Sequence, residues 1–167
     1  MTLESNWANT SDVVRASYNE RPTDIKTGAS PKTSGSTREL VVEFSYDDLP
    51  GTSATGGMEI TIPANSIITD AYFDTLTAFA GGTSYDIGLN ETDGSTAIDA
   101  DGLWDLLPLA EINAANERSV SKTHAGTNSG ALLDTTLSAE AQVVVAATGT
   151  FTAGKGRIVI EYIPPFA

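Results

Sequence analysis

The side chains able to do chemistry are few in kind. There is no cysteine and a single histidine, His124, so composition alone excludes thiolate metal sites, cysteine nucleophiles and disulfides. His124 sits in the polar run SKTHAGTNSG. Ser121 and Ser129 are close to it in the chain, but a Ser–His–acid site also needs an oriented carboxylate, and no G-x-S-x-G nucleophile elbow occurs. The expectation is an ordinary exposed loop histidine.

Carboxylates are abundant, and three pairs could be imagined as general acid and base: Asp47 with Asp48, Asp70 with Asp74, and Asp99 with Asp101. A glycosidase needs two such groups facing each other across a cleft. Among 22 acidic residues in 167, close pairs arise by chance. Asp70 and Asp74 share parity on an extended segment and would stand roughly 13 Å apart, too far for a dyad. Glu91, Asp93, Asp99, Asp101 and Asp105 are the best candidates for Ca²⁺, which takes oxygen ligands. The run DADGLWD lacks EF-hand spacing, and a solvated acidic turn is the favoured reading. GxGxxG and GxxxxGK[ST] are both absent, so no phosphate cradle is encoded. The sequence assigns no catalytic, metal or cofactor site.

The elements that would carry these residues are organised around residues 60–80, ITIPANSIITDAYFDTLTAFA. The period is two and β-branched and aromatic residues dominate, which predicts a long strand. Pro63 interrupts it, and Gly81-Gly82 closes it by tolerating positive φ. Residues 38–47 alternate cleanly, with Leu40, Val42, Phe44 and Tyr46 on one face. Residues 58–63 form a short strand. Residues 83–90, with Tyr85, Ile87 and Leu89 on one face, read as the hairpin partner of the long strand. Leu103, Leu106 and Leu107 fall at i, i+3 and i+4, predicting a helical turn stopped by Pro108. Residues 114–130 read as a long exposed excursion, of a kind that is often functional. Residues 131–137, 141–148 and 157–163 read as strands, the last two joined by a hairpin through residues 149–156. The total is about eight strands. That predicts an all-β fold, an antiparallel β-sandwich with jelly-roll-like joining, although periodicity does not fix strand order.

Nine basic against 22 acidic residues give a formal net charge of -13. This argues against nucleic acid and against anionic membrane surfaces as partners. No Lys or Arg occurs between Glu39 and Glu117, where 15 carboxylates lie. No stretch approaches the roughly 18 apolar residues of a membrane span, and no basic start followed by an apolar run marks a secretory signal. Residues 1–37 have arm or linker composition, preceding a sandwich domain at 38–167. Trp7, Val13, Val14 and Tyr18 are the arm's main apolar groups and its expected contacts with a partner or sister subunit.

Three segments together resemble a known group. Residues 60–89 (an I-P-A strand end, then TAFAGG and a D-I-G strand), the D-G turn of residues 99–105, and TAGKGRIVIEYI at 152–163 are similar to the head decoration, or cement, proteins of tailed bacteriophages. The likeness covers roughly half the chain and none of the arm. It implies a non-enzymatic virion protein without cofactors, made in the host cytoplasm. Such a protein would lie on the outer capsid surface as a homotrimer bridging subunits of the major capsid protein. The alternative is a receptor- or glycan-binding module of a phage head or tail, with Trp104 and Tyr85 as an exposed aromatic platform.

Overall fold

The computed structural model describes residues 37–48 and 55–165, with residues 55–60 as backbone alone. Among the described residues there are eight strands: β1 (Arg38–Ser45), β2 (Thr55–Ile62), β3 (Ile67–Gly81), β4 (Ser84–Glu91), β5 (Ala97–Pro108), β6 (Arg118–Val120), β7 (Ala141–Thr148) and β8 (Phe151–Ile163). They form two four-stranded sheets, ordered β1-β8-β3-β6 and β2-β7-β4-β5. Every strand pairing is antiparallel.

The order has a simple logic. Pairs β1·β8, β2·β7, β3·β6 and β4·β5 are those of one long hairpin folded back between β4 and β5. Rolling that hairpin adds β3·β8 and β4·β7 and divides the strands between two sheets. This is the jelly roll.

The roll needs the chain to switch sheets, and the turn residues explain how. Pro63 follows β2, and Asn65 takes a left-handed φ of 61° before β3 begins. Gly81 and Gly82, at φ 72° and 58°, carry the chain from β3 to β4. Two expected hairpins are corrected by this. β4 pairs with β5 and β7 rather than with the long strand β3, and β7 and β8 lie in different sheets. Period two gives each strand its faces but not its neighbour.

The core lies between the sheets. Leu40, Val42 and Phe44 of β1, and Ile158, Ile160 and Tyr162 of β8, are buried in alternation as predicted. β3 keeps one inward face only by a bulge. Ile68 is buried, the register against β8 shifts between Ile68 and Asp70, and Ala71, Phe73 and Thr75 then point inward. Phe44 meets Phe73 and Tyr85 edge-on at 6.0 and 5.7 Å between ring centres. Phe79 meets Tyr85 at 5.4 Å, and Tyr85 stacks on Phe151 at 4.1 Å. These rings tie β1 and β3 of one sheet to β4 of the other.

Three further expectations are corrected. Residues 103–108 are not a helical turn but the end of β5. The register against β4 shifts three times along the strand, and Leu103, Trp104 and Leu107 are all buried while Leu106 is exposed at φ 57°. Bulges produced a spacing that imitates a helix. Residues 131–137 are turns with a single bridge, Ile67 to Thr136, rather than a strand. Residues 114–130 are only partly exposed: they contain β6, and Ser119 and Ser121 are buried.

Opposite parities on β1 make a direct test. Phe44→Ala is expected to cost about 3–5 kcal/mol of unfolding free energy, as for a large aromatic removed from a packed core. Val41→Ala, on the outward face, is expected to stay within about 0.5 kcal/mol. Urea midpoints of both variants check the register.

Candidate functional site

The residues singled out from the sequence scatter over the fold. Trp7, Val13, Val14 and Tyr18 lie outside the described residues. His124 is not an exposed loop side chain: only 4% of it is accessible. Its Nδ1 lies 3.2 Å from Glu111 Oε2, and its Nε2 lies 3.2 Å from the Asp105 carbonyl oxygen. Both neighbours accept hydrogen bonds, so only the imidazolium donates at both ends. Glu111 also accepts from Ser119 Oγ at 3.1 Å, and Ser119 Oγ accepts from Trp104 Nε1 at 3.2 Å. The carboxylate therefore stands between hydroxyl and imidazole. In a nucleophilic triad the imidazole must stand in the middle to take the serine proton. Here the chain of bonds clamps β5, β6 and the loop carrying His124 together.

Ser121 and Ser129 are likewise committed to backbone. Ser121 Oγ donates to the Leu103 carbonyl, and Ser129 Oγ accepts from Asp105 N–H at 2.8 Å.

The acidic stretch is used in turns. Asp93 accepts from the backbone N–H groups of Ser95 and Thr96 and from the Thr96 hydroxyl. The Thr96 hydroxyl bond and these amide bonds hold its carboxyl well below the usual range. Asn128 Nδ2 donates to both Asp99 and Asp101, at 3.0 and 2.7 Å. Burial, followed by the Asp101 side chain, pushes Asp99 up. Among the described residues no three His, Asp or Glu side chains converge as a metal site. The aromatic platform is also corrected: Trp104 and Tyr85 are both fully buried, because the two sheets close over them.

The best-organised polar cluster is one the sequence reading missed. It lies on the outer face of the β1-β8-β3-β6 sheet, centred on Asp74 of β3. Arg118 of β6 and Arg157 of β8 are its direct cross-strand neighbours. Asp74 Oδ1 accepts from Arg118 Nε at 2.5 Å, and Oδ2 accepts from Arg118 Nη2 at 2.9 Å and Arg157 Nη2 at 2.8 Å. Asp74 is largely enclosed, while the side chains of Arg118 and Arg157 are 54% and 37% accessible. The Arg118 hydrogen bond, with help from Arg157, holds the Asp74 carboxyl below its ordinary value against the opposing effect of burial. The Arg118 guanidinium also lies 5.0 Å from the centre of the Tyr72 ring, within cation–π range. An open groove of about 280 Å³ runs beside the cluster, at the small end for a ligand pocket. The available signal was scarcity: Arg118 and Arg157 are two of only five basic residues after position 37.

No family model matches the sequence, and no curated protein matches it. Two solved structures share the fold. One is a chain of the cyanophage Pam1 capsid asymmetric unit, with a TM-score of 0.56 and 13% identity over 79% of this chain and 87% of that one. The other belongs to the acidic stable capsid structure of the Helicobacter pylori bacteriophage KHP30, with a TM-score of 0.52 and 14% identity over 77% and 88%. At that identity the likeness is one of fold.

A carboxylate whose folded value is depressed stabilises the fold above its unfolded value, here the ordinary 3.8. That contribution fades as pH falls through 3.8 towards the folded value. Asp74→Asn is therefore expected to cost about 1–2 kcal/mol at pH 7, a charge-assisted bond discounted for the exposed guanidiniums. The gap to wild type should close as pH drops below about 4. Urea midpoints at pH 7 and pH 3 measure it.

Proposed function

We propose that this protein is a virion structural protein of a bacteriophage. It decorates the outer face of the capsid as a homotrimer and stabilises the shell by bridging subunits of the major capsid protein. The observation that carries the reading is the jelly roll itself, matched over more than three quarters of the chain to chains of two phage capsid structures. The resemblance of residues 60–89, 99–105 and 152–163 to phage head decoration proteins points the same way.

Two physical features support it. The space between the sheets is filled by aromatic and aliphatic side chains, so the chain's business is with surfaces. The net charge of -13 suits the outside of a shell better than the side facing packaged phosphates. A protein that binds assembled shell and not free subunits shifts assembly forward by mass action. Three copies acting together raise the effective affinity. The arm at residues 1–37, with Trp7, Val13, Val14 and Tyr18, is assigned to contacts with the capsid or a sister subunit. Nothing in the reading calls for an active site.

Purified full-length protein is expected to show a mass near three times its 17.4 kDa chain by mass photometry. Added to undecorated heads, it is expected to raise their disassembly temperature. Removing residues 1–37 should abolish either the trimer or head binding, and which one is lost identifies the arm's contact. A monomer that leaves head stability unchanged rules the reading out.

A further inference from the structure

The sheet face that carries Asp74 is banded across its strands. The register sets Val41 of β1 opposite Val159 of β8, Val159 opposite Tyr72 of β3, and Tyr72 opposite Val120 of β6. This makes an apolar row four strands wide, with Val41 44% exposed and the other three half-buried. On one side of it run Glu43, Arg157, Asp74 and Arg118, alternating in sign. On the other side run Glu39, Glu161 and Asp70, three carboxylates that are direct cross-strand neighbours. Like charges placed opposite one another destabilise a sheet. Among the described residues, the Lys and Arg ion pairs go to Asp74 and Glu43 and none goes to this row.

The outer face of the other sheet is treated differently. Val144 points outward between Val143 and Val145, yet it is only 2% exposed. Over its cross-strand partner Gly88 runs the bulged part of β5, so close that a Cβ there would lie 2.1 Å from the Asp99 carbonyl oxygen. The fold covers this outward valine at the middle of the sheet with its own chain, and an exposed apolar side chain of that sheet, Leu106, sits at the β5 bulge on its edge. The apolar row on the Asp74 face it leaves uncovered.

We propose that the banded face is the surface by which this protein docks on the subunits of the shell. Its occupant is a protein surface with a central apolar side chain, Lys or Arg on one flank and Asp or Glu on the other. The inference rests on the capsid-binding reading above. Charge complementarity selects the occupant. Cations over Glu39, Glu161 and Asp70 remove an unfavourable row. A carboxylate meets the guanidinium N–H groups of Arg118 and Arg157 that Asp74 does not use. Tyr and Arg beside an apolar centre are the residue types that carry interface energy.

The test uses full-length protein and co-sedimentation with undecorated heads. The single variant Glu161→Lys separates docking from folding, because it sets a cation between Glu39 and Asp70 and replaces like-charge repulsion with attraction. It is expected to unfold at the same or higher urea concentration than wild type, yet to bind heads at least about tenfold more weakly. Val41→Asp is expected to lose binding similarly while remaining folded. Gln142→Lys, on the other sheet's outer face, is expected to bind as wild type does. If wild type binds and both face variants bind equally well, the docking surface lies elsewhere and the capsid reading survives. If the face variants fall from trimer to monomer, the face joins copies of this chain and the proposal is overturned. If wild type itself does not bind heads, the functional reading fails first.

Discussion

The structure depends on one interlock, the aromatic cluster that spans the gap between the sheets. Phe44, Phe73 and Phe79 come from the β1-β8-β3-β6 sheet, and Tyr85 and Trp104 from the other. Edge-to-face ring pairs contribute beyond the area they bury, and they work only when both sheets present the right residue at the right height. β1, β3, β4 and β5 are therefore fixed relative to one another. The requirement also leaves the interior filled: Tyr85, Trp104 and Phe44 are almost wholly inaccessible. Recognition is confined to the outer faces, the edges and the loops.

The fold class was legible because each sheet has one buried face, and alternation records that directly. β1 and β8 were readable residue by residue for this reason. What the alternation cannot record is which strand lies beside which. β8 pairs with β1 and β3, and β4 pairs with remote β7 as well as with adjacent β5, and the glycines and proline at the sheet changes read equally well as hairpin turns. Bulges did the other damage. In β5 they bury Leu103, Trp104 and Leu107 and leave Leu106 exposed, whereas periodicity assigns the i, i+3, i+4 spacing of Leu103, Leu106 and Leu107 to one face of a helix. The candidate site was less legible still. Asp74, Arg118 and Arg157 are separated by 44 and 39 positions along the chain and meet only through strand register. No local pattern announces such a meeting. The buried state of His124 was equally hidden, since its partners Glu111 and Asp105 lie on a different part of the roll.

Charge is distributed with the same regard for position. Asp93 and Asp48 are consumed in capping turns, and Asp86 holds the N–H of Leu106 at the β5 bulge. These carboxylates have local structural work, which accounts for much of the acidity between β1 and β6 without any ligand. The row Glu39, Glu161 and Asp70 is different in kind. Asp70 accepts from Tyr72 and the Ala71 amide, but those bonds leave its negative charge in place.

A sheet face that carries unrelieved like charge is weakly destabilised when free and gains when a cationic surface covers it. The gain is modest per pair at an exposed site, and salt screens it over about 10 Å. On the proposed reading, that modesty has a use. A single copy holds the shell loosely and reversibly, while several copies acting together hold it firmly. The apolar row supplies affinity that salt does not remove, and the flanking charges fix orientation and exclude a partner offered in reverse. A face with charge alone would bind many basic surfaces, and one with valines alone would invite aggregation. The banded combination selects a partner by pattern, which is the form of specificity available to a fold whose interior is already full.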